Sequence, residues 1–217
     1  TEGGDATKPE TRNWQVVLGG KSETTLIFEA DKHLPPAQPT VYWREVVEYD
    51  ISPSSVECLF TWQLDVTQAP ITELVLQGDA TASLADIRLG NEVLTWSIQN
   101  KPNGWTAVAG LPEPLFGTSR QVVIRTLGST KLGARQFLPR VRLTGGIWQG
   151  TDSTVRLNDS LRMEDIAVTP GRIVYADWEA RTDQDVRLQA YAENYKAEVS
   201  VNRRASRPQL TTATLIQ

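Results

Sequence analysis

Val41-Tyr42-Trp43-Arg44-Glu45-Val46-Val47-Glu48-Tyr49-Asp50-Ile51, a turn at Ser52-Pro53-Ser54-Ser55, and Val56-Glu57-Cys58-Leu59-Phe60-Thr61-Trp62-Gln63-Leu64-Asp65-Val66 decide how this chain folds. In the second run Val56, Cys58, Phe60, Trp62, Leu64 and Val66 share one side. Glu57, Thr61, Gln63 and Asp65 share the other, with Leu59 the apolar exception. A period of two marks a strand with one buried face, because successive Cβ atoms point to opposite sides of a sheet. The first run groups Val41, Trp43, Glu45, Val47, Tyr49 and Ile51, so a carboxylate shares the apolar face. Both runs exceed the usual strand of about five or six residues and predict a large, curved sheet.

The same pattern extends outward in both directions. Trp14–Leu18 and Thr24–Ala30 flank Gly19-Gly20-Lys21-Ser22, a hairpin turn. Further strands are expected at Ile71–Gln77, Val93–Gln99, Thr106–Val108, Gln121–Thr126, Val141–Leu143, Thr154–Leu157, Leu161–Val168, Arg172–Trp178, Val186–Ala190 and Lys196–Val201. Gly, Pro, Asn and Asp clusters between them suit tight turns. Only Ser83–Leu89 and Leu127–Ala134 have the composition for a helical turn. The expectation is an all-β chain, built as one large antiparallel two-sheet sandwich or as two smaller sandwiches in tandem.

Residues 1–12 read as a flexible lead-in and 13–202 as the sandwich module, with a subdivision point near 128–140. Residues 203–217 read as a linker and the start of a following strand or module. An internal echo motivates that last boundary. Leu26–Ala30 runs through a charged stretch to Pro39 and a strand; Glu198–Val201 runs through Asn202–Arg207 to Pro208 and Thr211–Ile216, with the prolines about 170 residues apart. Tandem modules or coincidence between two short segments both produce it. With no initiator Met and an apolar tail, the chain is expected to be a processed protein or a piece of a longer one.

Hydrophobic residues make up 40% and charged residues 22%, a balance that suits a folded core rather than a disordered segment. A net charge of -4 argues against a nucleic-acid platform, which carries a basic face. No stretch approaches the roughly 20 apolar residues of a membrane helix, so no membrane insertion is expected. The chain's one cysteine, Cys58, alternates with core residues and reads as a buried thiol.

Most catalytic motifs fail on context. Gly19-Gly20-Lys21-Ser22 lacks the upstream glycine of a phosphate-binding loop, since Gln15 stands there, and a strand rather than a helix follows. His33, the one histidine, sits beside Pro35-Pro36, away from any strand that could position it in a triad. Gly117-Thr118-Ser119-Arg120-Gln121 lacks the second glycine of a nucleophile elbow. One His and one Cys are too few for a zinc, copper or haem site, so no catalytic residue, metal or cofactor is assigned.

Carboxylates and tryptophans are what remain. Glu45, Glu48 and Asp50 lie on one strand, Asp177, Glu179, Asp183 and Asp185 around another, and a glycosidase needs only a facing pair. Asp183-Gln184-Asp185 and Asn158-Asp159 offer oxygens to calcium without a full loop motif. Of seven tryptophans, Trp43, Trp62, Trp96 and Trp178 fit core positions. Trp105 and Trp148 stand beside glycine turns, where an indole either caps a core or forms a platform for a sugar ring or a partner. Trp105, Trp148 and Glu45 are therefore the candidate ligand-binding residues.

The strand pattern resembles modules of large bacterial envelope or secreted proteins. More loosely, it resembles the extended supersandwich of mutarotase-like and polysaccharide-processing proteins. The resemblance covers most of the chain but rests on no motif, so it implies architecture only. The preferred expectation is a non-catalytic structural or interaction module of a larger extracytoplasmic bacterial protein, with neighbouring modules or envelope proteins as partners. The alternative is a carbohydrate-binding or carbohydrate-processing domain with polysaccharide as partner. A concave surface carrying Trp or Tyr beside Asp or Glu would favour the alternative.

Overall fold

The computed structural model describes residues 12–18, 22–28, 37–175 and 185–204. His33, Trp178, Asp177, Glu179, Asp183, the turn at 19–21 and the tail 211–217 lie outside the described residues, as do residues 29–36 and 205–210 of the internal echo. The chain divides into two compact units, 1–37 and 38–217. In the first, β1 (Arg12–Leu18) and β2 (Ser22–Phe28) pair antiparallel from Arg12↔Phe28 to Leu18↔Ser22, a hairpin as expected.

The second unit is strand throughout its described elements. These are β3 (Thr40–Ile51), β4 (Ser55–Asp79), β5 (Ala82–Leu89), β6 (Glu92–Val93), β7 (Trp96–Lys101), β8 (Gly104–Ser129), β9 (Arg135–Phe137), β10 (Val141–Leu143), β11 (Ile147–Leu157), β12 (Leu161–Thr169), β13 (Gly171–Tyr175), β14 (Asp185–Ala190) and β15 (Lys196–Arg203). One sheet of ten strands runs β13-β14-β11-β3-β4-β8-β5-β6, with β10 added to β4 and β7 to β8; a second has the order β12-β15-β9. Ser83–Leu89 is not helical but forms most of β5, and Leu127 continues β8. Cross-strand pairing of β5 with residues 122–128 of β8 overrides the weak local preference of Ala, Leu and Arg for helix.

The 25-residue β4 and 26-residue β8 each merge two expected strands. Their ladder is regular from Ser55↔Ser129 to Leu64↔Arg120, irregular between Leu64 and Glu73, and regular again to Asp79↔Gly104. Pro70, Pro112 and Pro114, which cannot donate to a ladder, fall in the irregular zone. So do Gln68 and Gly117, at φ 69° and 97°. Here the ribbon bends. Its far end returns to its near end, because Ala82, just after β4, pairs with Gly128. The Trp105 indole N–H donates to the Ala82 carbonyl at 2.8 Å. Any side chain at Gly78 would collide with the Trp105 ring, so the close approach requires glycine there.

Two layers therefore share one core. The even positions Val56 to Val66 of β4 and odd positions Val41 to Ile51 of β3 are buried, as the alternation predicted, Cys58 and Glu45 included. Trp43 and Trp62 stack at 5.0 Å between ring centroids, and Tyr49 meets Phe60 edge-on at 6.4 Å. Across the core the Tyr49 hydroxyl donates to the Pro139 carbonyl at 3.1 Å, and Trp43 faces Leu143 and Gly146. The β3–β11 ladder is parallel and the other described ladders antiparallel, so the large sheet is mixed.

Trp62 is fully buried at the centre of this core. Trp62→Ala is expected to cost roughly 3–5 kcal/mol in urea unfolding; a loss below about 1 kcal/mol would contradict the register.

Candidate functional site

The parallel ladder sets Thr151 of β11 opposite Glu45 of β3, and the antiparallel ladder sets Trp62 of β4 opposite Glu45 on its other side. Thr151, Glu45 and Trp62 thus form one lateral row on the inner face. Glu45 is 1% exposed, and both its carboxylate oxygens are occupied. The Thr151 hydroxyl donates to Oε1 at 2.6 Å and the Trp62 indole N–H to Oε2 at 3.2 Å.

Trp148 joins through a β-bulge. Strict alternation would put residues 148 and 151 on opposite faces. Trp148 pairs with Trp43 and Gly150 with Arg44, so Gln149 is the extra residue and both Trp148 and Thr151 turn inward. The half-buried Trp148 indole N–H then donates to Thr151 Oγ1 at 3.0 Å. The chain of donors runs Trp148, Thr151, Glu45.

Arg140, between β9 and β10, closes the cluster from the other layer. Its guanidinium donates to the carbonyls of Tyr195 at 2.8 Å and Glu193 at 2.6 Å and lies 3.7 Å from the Tyr195 ring centroid. Its backbone N–H donates to Asp79 Oδ2 at 2.9 Å. The Tyr195 hydroxyl is buried beside the charges of Glu45 and Arg140 and makes no hydrogen bond of ordinary geometry.

Burial pushes the Glu45 carboxyl up to about 7, although Thr151, the Arg140 charge, Trp62 and Tyr195 favour its ionised form. Desolvation, then the Glu45 charge, pushes Tyr195 up to about 12. Desolvation does the same to Cys58, which is held as an unreactive thiol. A carboxyl titrating near neutrality resembles a general acid or base, yet it has no exposed face and no free oxygen for a substrate. Its chemistry is that of a polar tie joining β11, β3 and β4 side by side within one layer.

The structure thus brings Glu45 and Trp148 together and sets Trp105 apart. Trp105 is 5% exposed, with its indole bonded to Ala82, and only its edge contributes to the lining of the neighbouring groove. Glu48 pairs with Arg156 at 2.5 Å on the exposed face, and Asn158 Oδ1 accepts from Ser160. Trp96 is half-buried rather than core. With Leu84, Ile98, Leu127, Ser83 and Lys101 it lines an open groove of about 610 Å³ where β5 and β7 flank β8. Ile98 and Leu127 are each 40% exposed there, and the described lining contains no carboxylate.

No family model matches the chain, and no curated protein matches its sequence. Among solved structures, it is similar to native yeast LTA4 hydrolase at 12% identity and TM-score 0.49, over 76% of this chain and 29% of that one. It is similar to an M1 zinc metallopeptidase from Deinococcus radiodurans at 12% identity and TM-score 0.47, over 76% and 43%. The chain spans less than half the length of either. At these scores neither relationship nor activity carries over.

Glu45 gives a pH signature. Its folded value of about 7 exceeds the ordinary 4.5, so the folded state holds a proton that the unfolded state has lost. Stability then falls as pH rises through that window, by at most about 3 kcal/mol between pH 5 and pH 8. Urea unfolding across this range should show that decline in the native chain and its absence in Glu45→Gln. The same slope in both would refute the assignment.

Proposed function

We propose that this chain is a non-catalytic interaction module of a larger protein. What supports the reading is how its polar and aromatic groups are used. Glu45, Thr151 and Trp62 satisfy one another inside the core, whereas Trp96, Ile98 and Leu127 leave accessible aromatic and apolar surface at the groove between β5 and β7. In the ladders described, β7 pairs with β8 alone, leaving its other edge for contact. An apolar groove beside an unpaired strand edge suits a neighbouring module or an envelope protein that lays an extended segment along it.

Polysaccharide binding is the weaker reading. Stacked sugar recognition uses an aromatic face beside carboxylates that accept from ring hydroxyls, and the groove offers Trp96 without such a carboxylate. We also propose an extracytoplasmic location. The turn-rich strand grammar favours it, and the single buried, protonated thiol of Cys58 is compatible with an oxidising compartment. No described helix is long and apolar enough to cross a membrane.

Hydrogen exchange tests the reading by comparing the isolated module with the full-length protein. Amides of 96–101 and around Leu127 should exchange at least tenfold more slowly in the longer chain or with its partner bound. Unchanged exchange there, together with specific retention on a glycan array, would favour the carbohydrate reading instead.

A further inference from the structure

We infer that the outer face of the sandwich, at the Asp79–Gly104 end of the β4–β8 ribbon, carries a binding site for inorganic phosphate. Lys101 also borders the groove, but the inference rests on the donors of a separate pocket and not on the groove reading. Arg142 of β10 stands opposite Gln77 of β4, and Gln77 opposite Thr106 of β8, so three polar side chains form a lateral row. Lys101, at the end of β7 opposite Gly104, and Asn103 of the adjoining turn close the row on its far side. Together with Asp79 they line a pocket of about 220 Å³, a size suited to a small ligand.

Two features distinguish this pocket from ordinary solvated sheet surface. First, Arg142 and Lys101 form no ion pair among the described residues, whereas Arg88, Arg125, Arg135, Arg156 and Arg162 each hold a carboxylate. Second, the Arg142 Nε–H is buried without a hydrogen-bond partner, and buried N–H groups are rarely left so. Two cations therefore converge on a pocket of a chain whose net charge is -4, against the overall balance.

The donor set selects the anion. A guanidinium, an ammonium, two carboxamides and a hydroxyl supply more donors than the two oxygens of a carboxylate accept, but they suit the four oxygens of a tetrahedral anion. Asp79 then discriminates among tetrahedral anions. Its Oδ2 already accepts from the Arg140 amide at 2.9 Å, and its remaining lone pairs suit the P–OH of a hydrogen phosphate. Sulfate, fully ionised, has no proton to donate and is repelled.

Amide NMR of the whole chain, titrated with inorganic phosphate, sulfate and acetate at ionic strength fixed by chloride, tests the site. Phosphate should move the Gly78 and Gly104 amides saturably, at least fivefold tighter than sulfate or acetate. Arg142→Gln should weaken phosphate at least tenfold and Lys101→Gln several-fold, while Arg162→Gln on β12 leaves it unchanged. Lys101 is exposed, so its variant reports even if Arg142→Gln fails to fold. Shifts matched by chloride, sulfate or acetate binding as tightly as phosphate, or full affinity in Lys101→Gln would overturn the inference.

Discussion

The doubled-back β4–β8 ribbon is the constraint on which the rest of the structure depends. Two strands this long cannot remain flat and bury one face, because sheet twist accumulates along them. The irregular ladder between Leu64 and Glu73 divides each strand into a half for either layer. β3 and β11 then extend one layer, β10 and β7 the other, and the ends of the ribbon meet where Ala82 pairs with Gly128. A sandwich built this way closes one flank with its own turn and leaves the opposite flank to the edge strands. The groove beside Trp96 follows from that asymmetry.

The Glu45 cluster follows from the same constraint. Bringing Arg140 and Tyr195 against β3 places a cation and a phenol beside a carboxyl whose sheet neighbours already supply two donors. Burying such groups is costly unless each is satisfied, and an apolar set of equal volume is often as stable. What the polar set adds is register: Thr151 reaches Glu45 only when β11 lies parallel to β3 in the observed alignment. A one-residue slip of β11 would take the Thr151 hydroxyl from Oε1 and leave that oxygen unpaired in the core.

The alternation from Val41 to Val66 was sufficient to read both long strands and their buried faces; it set Glu45 on the apolar side without telling burial in the core from the lining of a groove. Local pattern could not show that Val56–Val66 and Ile71–Gln77 are one strand, because the prolines between them mark a bend and an end alike. Nor could it place Thr151 or Arg140 beside Glu45. The parallel β3–β11 pairing spans about a hundred residues of sequence, and Arg140 in Leu138-Pro139-Arg140-Val141 has nothing local to mark it as inward-facing. The bulge that turns Trp148 inward had a trace in Gly146 and Gly150, since glycine in a strand signals irregular pairing. Trp96 was misplaced for a related reason: alternation tells which face a residue takes, not whether anything covers that face.

Exchange and cross-relaxation of the Trp105 indole proton measure the doubling-back of the ribbon directly. The account predicts a slowly exchanging indole N–H with nuclear Overhauser contacts to Ala82, whose backbone pairs with Gly128 at the near end of the ribbon. A rapidly exchanging indole whose contacts stop at its β8 neighbours, Gly78 and Asn100 would show that the ribbon does not close, and would contradict the shared core.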